Sequence, residues 1–67
     1  MTPPDIPLPD WARWIAQDAD GCWWAYQAEP LQHHQGWYEN EVGQRLKLAD
    51  GPHNPDWRDA LFRVKPR

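Results

Sequence analysis

The sequence predicts an α+β fold: a small antiparallel β-sheet meander of three to four strands, one short C-terminal α-helix and an extended Pro-rich N-terminal arm. Three observations predict it. Two aromatic runs, WARWIAQ at 11–17 and CWWAYQAE at 22–29, flank a short acidic loop that ends in Gly21, the pattern of a β-hairpin. The segment NPDWRDALF at 54–62 opens like a helix, with Asn54 suited to the N-cap, Pro55 to the first helical position and Asp56 to the positive helix end. Four of the eight prolines (Pro3, Pro4, Pro7 and Pro9) crowd into residues 1–10, where such density excludes helix and inner strand.

The elements follow in order. The arm, residues 1–10, carries Ile6 and Leu8, which can press it onto a single domain spanning 11–64. In the second hairpin strand Cys22, Trp24, Tyr26 and Ala28 share one side, and Trp23, Ala25, Gln27 and Glu29 the other. The first side is the more apolar and is expected to face the core, which leaves Trp23 on a face the short chain has little to cover. EPLQHHQG at 29–36 reads as a polar connector and residues 36–40 as a third strand. Residues 41–43 form a turn ending in Gly43. Gln44 to Ala49 reads as a fourth strand, with Leu46 and Leu48 inward and Arg45 and Lys47 outward, closed by Asp50-Gly51-Pro52. Trp57, Leu61 and Val64, at i, i+4 and i+7, make one apolar helical stripe.

Size makes the tryptophans matter. A chain of 67 residues has room for one domain, and domains this small bury only about 60% of the surface that their unfolded chains expose. Aliphatic residues are few, and six residues are tryptophan: Trp11, Trp14, Trp23, Trp24, Trp37 and Trp57. Each well-buried indole contributes roughly 4–6 kcal/mol at 25 cal/mol/Å². Trp14, Trp24 and Trp57 are therefore expected in the core, and Trp11 over one edge. Trp23 and Trp37 are left open to exposure.

Composition excludes several function classes. One cysteine, Cys22, rules out an intrachain disulfide and fits a reducing, cytoplasmic setting. No apolar run approaches the ~20 residues of a membrane span, and MTPPDIPLPD has neither the basic region nor the apolar core of a secretory signal. Net charge is −3, and residues 1–62 hold ten acids against four bases (Arg13, Arg45, Lys47, Arg58), a net of −6. An acidic body argues against direct nucleic-acid binding and suits a partner with a basic surface.

Chemistry finds little support in the residues. His33, His34, His53 and Cys22 do not make the two close pairs of a structural zinc site, so no metal is expected. Cys22 lies near Asp18 and Asp20, which raise a thiol pKa rather than lower it, and reads as a core cysteine. The acid pairs Asp18/Asp20 and Glu39/Glu41 fall at turns. The phosphate loop, catalytic triad and dinucleotide fingerprint are all missing. The expectation is a non-enzymatic protein without cofactor. Its candidate partner-binding residues are the aromatics Trp23, Trp37 and Tyr38, with an acidic rim of Asp18, Asp20, Glu39 and Glu41.

Two resemblances bear on the kind of partner. LPDW at 8–11 and the Trp-rich strands resemble a WW domain, and the alternative function is a peptide-binding module of SH3-like or WW-like type that reads proline-rich segments through Trp23, Trp37 and Tyr38. The interval from Trp11 to Trp37, 26 residues, is longer than that family's. Over most of the chain, the order DWARWIAQDADGCWWAY, then GWY, then NPDWRDALF resembles small Trp-rich accessory proteins of bacteriophages and prophages. Such proteins commonly act by binding a host protein. Anti-CRISPR proteins are similar in size and often acidic, and some block the effector's nucleic-acid channel by imitating its charge. The resemblance implies an inhibitor in the host cytoplasm that binds a basic host surface, such as a CRISPR effector subunit. It carries no catalytic residues with it. A structural or self-associating phage component is the further alternative.

Overall fold

A computed structural model describes residues 5–39 and 43–65. The WARWIAQ and CWWAYQAE runs form the expected hairpin, β1 (Trp14–Gln17) and β2 (Trp23–Tyr26), with Trp14 opposite Tyr26 and Gln17 opposite Trp23. Gly21 closes it at φ +96°, a conformation that costs glycine nothing and other residues about 1–2 kcal/mol.

Around this hairpin the chain departs from a meander. β5 (Arg45–Ala49), β2, β1 and β6 (Leu61–Arg63) form the main antiparallel sheet in that order, and β3 (Leu31–Gln32) pairs with β4 (Trp37–Tyr38) in a separate two-stranded ribbon. The polar connector thus contains a strand, and the third predicted strand leaves the sheet. β5 (Arg45–Ala49) takes the free edge of β2. β6 (Leu61–Arg63) takes the free edge of β1.

The expected C-terminal α-helix is not there. Trp57–Asp59 makes one 3₁₀ turn, and Leu61, Phe62 and Arg63 pair with Ala16, Ile15 and Trp14. The fold is therefore mostly β rather than α+β. The physical reason lies in β1. A helix of two turns gains little by itself, whereas β1 offers an unpaired edge to these residues. The backbone bonds Gln17 N–H to Ala60 O (3.0 Å) and Val64 N–H to Arg13 O (2.8 Å) extend the pairing beyond β6 at both ends. Asn54 does not cap a helix. Its Oδ1 accepts the Asp56 N–H (2.9 Å), and its Nδ2 donates to Gln17 Oε1 (3.0 Å).

Both faces of the central hairpin are covered. On one, Ala16 and Tyr26 pack with Trp37 and Trp57, with Trp14, Trp24, Ala19 and Leu61 around them. The Trp37 and Trp57 rings meet edge to face, 5.8 Å between centroids. The other face buries Ile15, Gln17, Trp23 and Ala25, with Trp23 against Phe62 at 6.1 Å. Alternation along β2 follows the expected split, but the side expected to be thinly covered is core as well. Trp57 is buried as expected, while Trp14 and Trp24 are only partly buried.

Leu46 does not point into a core as expected, while Leu48 is half-buried. Leu46 sits opposite Ala25 at the sheet edge and is 47% exposed. Arg45 and Lys47 lie on the side of Tyr26 and Trp24, their register partners. A bulge between the Trp23 and Trp24 positions leaves Leu48 without a partner.

Candidate functional site

The sheet sorts charge along its length. β1 runs towards the hairpin turn, and so does β5, while β6 runs away from it. The chain therefore delivers Asp18 and Asp20 after β1, Asp50 after β5 and Asp59 before β6 to the same end. Arg13 before β1, Arg45 opening β5, Arg63 closing β6 and Lys65 beyond it lie at the opposite end, which they share with Asp10 and with Glu29 beyond β2.

At the acidic end each carboxylate has a different task. Asp18 Oδ1 accepts the backbone N–H of Trp37 at 2.8 Å, tying the β3–β4 ribbon to the hairpin turn. Its pKa is raised: burial is the largest cause, the Trp37 bond opposes it, and the charge of Asp20 adds to it. Asp20 is exposed and accepts the Cys22 N–H at 3.0 Å, an Asx-type turn bond. Asp50 Oδ1 accepts the Cys22 thiol (3.4 Å) and the Lys47 ammonium (2.8 Å). The lysine bond foremost, then the thiol bond, holds the Asp50 carboxyl below its usual range. Cys22 is not a core cysteine but partly exposed. Its thiol pKa is raised by desolvation first, then by the bonds to Asp50 and Asp20, the reverse of what a nucleophile needs.

The predicted aromatic contacts fare differently. Trp23 and Trp37 are buried, 7% and 8% exposed, so neither presents an indole to a partner. Trp37 Nε1 donates to the Gln17 and Trp57 carbonyls at 3.1 and 3.3 Å. Tyr38, 37% exposed, remains at the surface. It stacks edge to face on His33 at 5.4 Å and borders a cavity of about 530 Å³ with His33, Gln35, Gly36 and Trp37. Glu39 is half-buried, and its Oε1 has no hydrogen-bond partner among the described residues. Glu41 lies outside the described residues. The structure thus brings Asp18 and Asp20 together, and it joins them with Asp50, which sequence reasoning missed. The Asp50-Gly51 turn was visible in the chain, but its position beside Cys22 depends on the β2–β5 pairing.

At the basic end two guanidinium groups lie over indoles, and that of Arg13 donates to the Asp10 carbonyl at 2.9 Å. Arg45 covers Trp24 and Arg63 covers Trp14, each 5.5 Å from the ring centroid. At the acidic end Arg58, next to Asp59, lies over the buried Trp57 at 4.5 Å. These contacts shield the partly buried rings of Trp14 and Trp24 and hold the cations at the surface.

Among the described residues no group of three or more His, Cys, Asp or Glu side chains is placed to hold a metal ion. No helix among them is long and apolar enough to cross a membrane. His33 and His34 stack on one another at 4.7 Å. Comparison with protein-family models, curated proteins and solved structures returns no match to this chain.

Proposed function

We propose that the chain is a non-enzymatic, phage-type inhibitor that docks its acidic turn end on a basic surface of a host protein, the most specific target being the nucleic-acid-binding site of a CRISPR effector. The observation that carries this reading is the separation of charge along the sheet. Asp20, Asp50 and Asp59 are exposed at one end, where Lys47 pairs with Asp50 and Arg58 adjoins Asp59, and the other four described cations are held at the opposite end. Such a dipolar layout orients an approaching protein and accelerates encounter with a basic site. Asp18 acts indirectly, by holding the turn against the ribbon through Trp37. Burial of Trp23 and Trp37 favours this reading over a proline-reading module, which needs neighbouring exposed aromatics to form its groove.

The test is inhibition of DNA binding by a purified CRISPR effector. Double reversal at the acidic end, Asp20→Lys with Asp59→Lys, is expected to abolish inhibition, and rising salt to weaken the wild type. Reversal at the other end, Arg13→Glu with Lys65→Glu, is expected to leave inhibition in place. Inhibition that survives reversal of the acidic end refutes charge mimicry, and a chain that inhibits no effector refutes the specific target.

A further inference from the structure

The acidic end leaves a second surface unexplained: the outer edge of β5. We propose that this edge is a β-augmentation site for an extended peptide segment of a partner protein, one that alternates acidic and apolar residues.

Among the described residues β5 is the longest strand and lies at the rim of the sheet, paired on one side only. Its first three residues, Arg45, Leu46 and Lys47, are exposed. The Gln27 N–H donates to Gln44 O at 2.9 Å, so residue 44 directs its backbone towards β2. In an antiparallel ladder this direction alternates. The backbone groups of Arg45 and Lys47 therefore face outward, free to accept another strand. The same two residues carry their cations on the Trp24/Tyr26 side, while Leu46 lies on the Ala25 side. The edge thus offers main-chain bonds, cations on one face and an apolar side chain on the other.

This pattern selects its occupant. A second copy pairing antiparallel through β5, in the register that sets residues 45–47 against one another, places Arg45 opposite Lys47 twice. Like charges directly opposite each other destabilise a pair, and charged edges are a common guard against self-pairing. A strand with acids opposite Arg45 and Lys47 and an apolar residue opposite Leu46 meets no such penalty. Arg45 is already oriented by its seat on Trp24. The Lys47–Asp50 pair, with side chains 47% and 79% exposed, is a solvent-screened ion pair that holds its partners only weakly and is readily exchanged for a partner's carboxylate.

The test uses two blocked six-residue peptides, one alternating Glu and Val and one alternating Lys and Val, titrated into the ¹⁵N-labelled full chain. The Glu–Val peptide is expected to shift the amides of residues 45–49 in a salt-sensitive way, and the Lys–Val peptide to leave them unmoved. Arg45→Glu with Lys47→Glu is expected to reverse the preference, weakening the Glu–Val peptide by about tenfold or more. Asp20→Lys is expected to leave the titration unchanged, which separates this edge from the acidic end. Absence of shifts at millimolar peptide, equal response to both peptides, or shifts centred on another element would overturn the proposal. Should the double variant lose its dispersed spectrum, the comparison of the two peptides on the wild-type chain decides.

Discussion

Replacing Trp37 decides whether the β3–β4 ribbon is a lid on the core or a loose aromatic contact. Its indole is 8% exposed, its ring meets Trp57 edge to face, and its Nε1 donates to the carbonyls of Gln17 and Trp57. Truncating a buried Trp to Ala costs about 3–5 kcal/mol. A domain of this length holds roughly 3–10 kcal/mol in total, so Trp37→Ala is expected to lose much or all of its cooperative unfolding transition. Trp37→Phe keeps an aromatic ring but loses the N–H. The Trp57 carbonyl still accepts the Ala60 N–H at 2.9 Å, so the loss is felt mainly at Gln17. One net hydrogen bond plus the smaller ring comes to about 2 kcal/mol. Urea unfolding followed by far-ultraviolet circular dichroism measures both, since indole fluorescence would itself change. If Trp37→Ala unfolded at the wild-type urea concentration, the indole would lie in solvent, and the reasoning about the core would be wrong.

Three further outcomes follow from the turn end. Gly21→Ala is expected to destabilise by about 3 kcal/mol or more, because it combines positive φ with a backbone collision. The new Cβ would strike the carbonyl oxygens of Gly51 and Pro52, and a thermal melt close to wild type would contradict this. Asp18→Asn keeps an acceptor for the Trp37 N–H and removes a partly desolvated charge. The folded pKa of Asp18 is raised above its ordinary 3.8, so its ionised form costs stability above that folded pKa, and the cost is recovered as pH falls to 3.8 and below. The Asn variant should therefore match or exceed wild type at pH 7, and its advantage should shrink on acidification; an advantage that grows at low pH would reverse the assigned sign. Cys22 should react with iodoacetamide more slowly at pH 8 than an unstructured thiol, because desolvation and the bond to Asp50 raise its pKa. Asp50→Asn should speed the reaction, and an unchanged rate would show that the Asp50 bond does not govern the thiol.

Local signals carried the hairpin. Two aromatic runs around Asp-Ala-Asp-Gly leave few alternatives, and side-chain alternation assigned Trp24 and Tyr26 to one face without reference to any other part of the chain. The same logic misread residues 54–64. Asn-Pro-Asp followed by Trp57, Leu61 and Val64 satisfies a helix pattern. Trp57 and Leu61 do reach one side of the core, but through a 3₁₀ turn and a strand. What the pattern could not register is an open backbone edge on β1, more than forty residues earlier in the chain. The burial of Trp23 and Trp37 is illegible in the sequence for a related reason: whether a strand face is covered depends on segments that arrive from elsewhere.

The candidate site divides in the same way. Composition and turn chemistry determined that the chain is acidic, that Asp18 and Asp20 flank a tight turn, and that six indoles must substitute for scarce aliphatics. Tertiary structure decided that Asp50 joins them, that Asp18 is spent on the Trp37 amide, and that Arg45, Arg63 and Lys65 gather at the far end. Strand direction is the physical reason. A charge placed before or after a strand reaches one end of the sheet or the other according to which way that strand runs, and pairing partners far apart in the chain fix the direction.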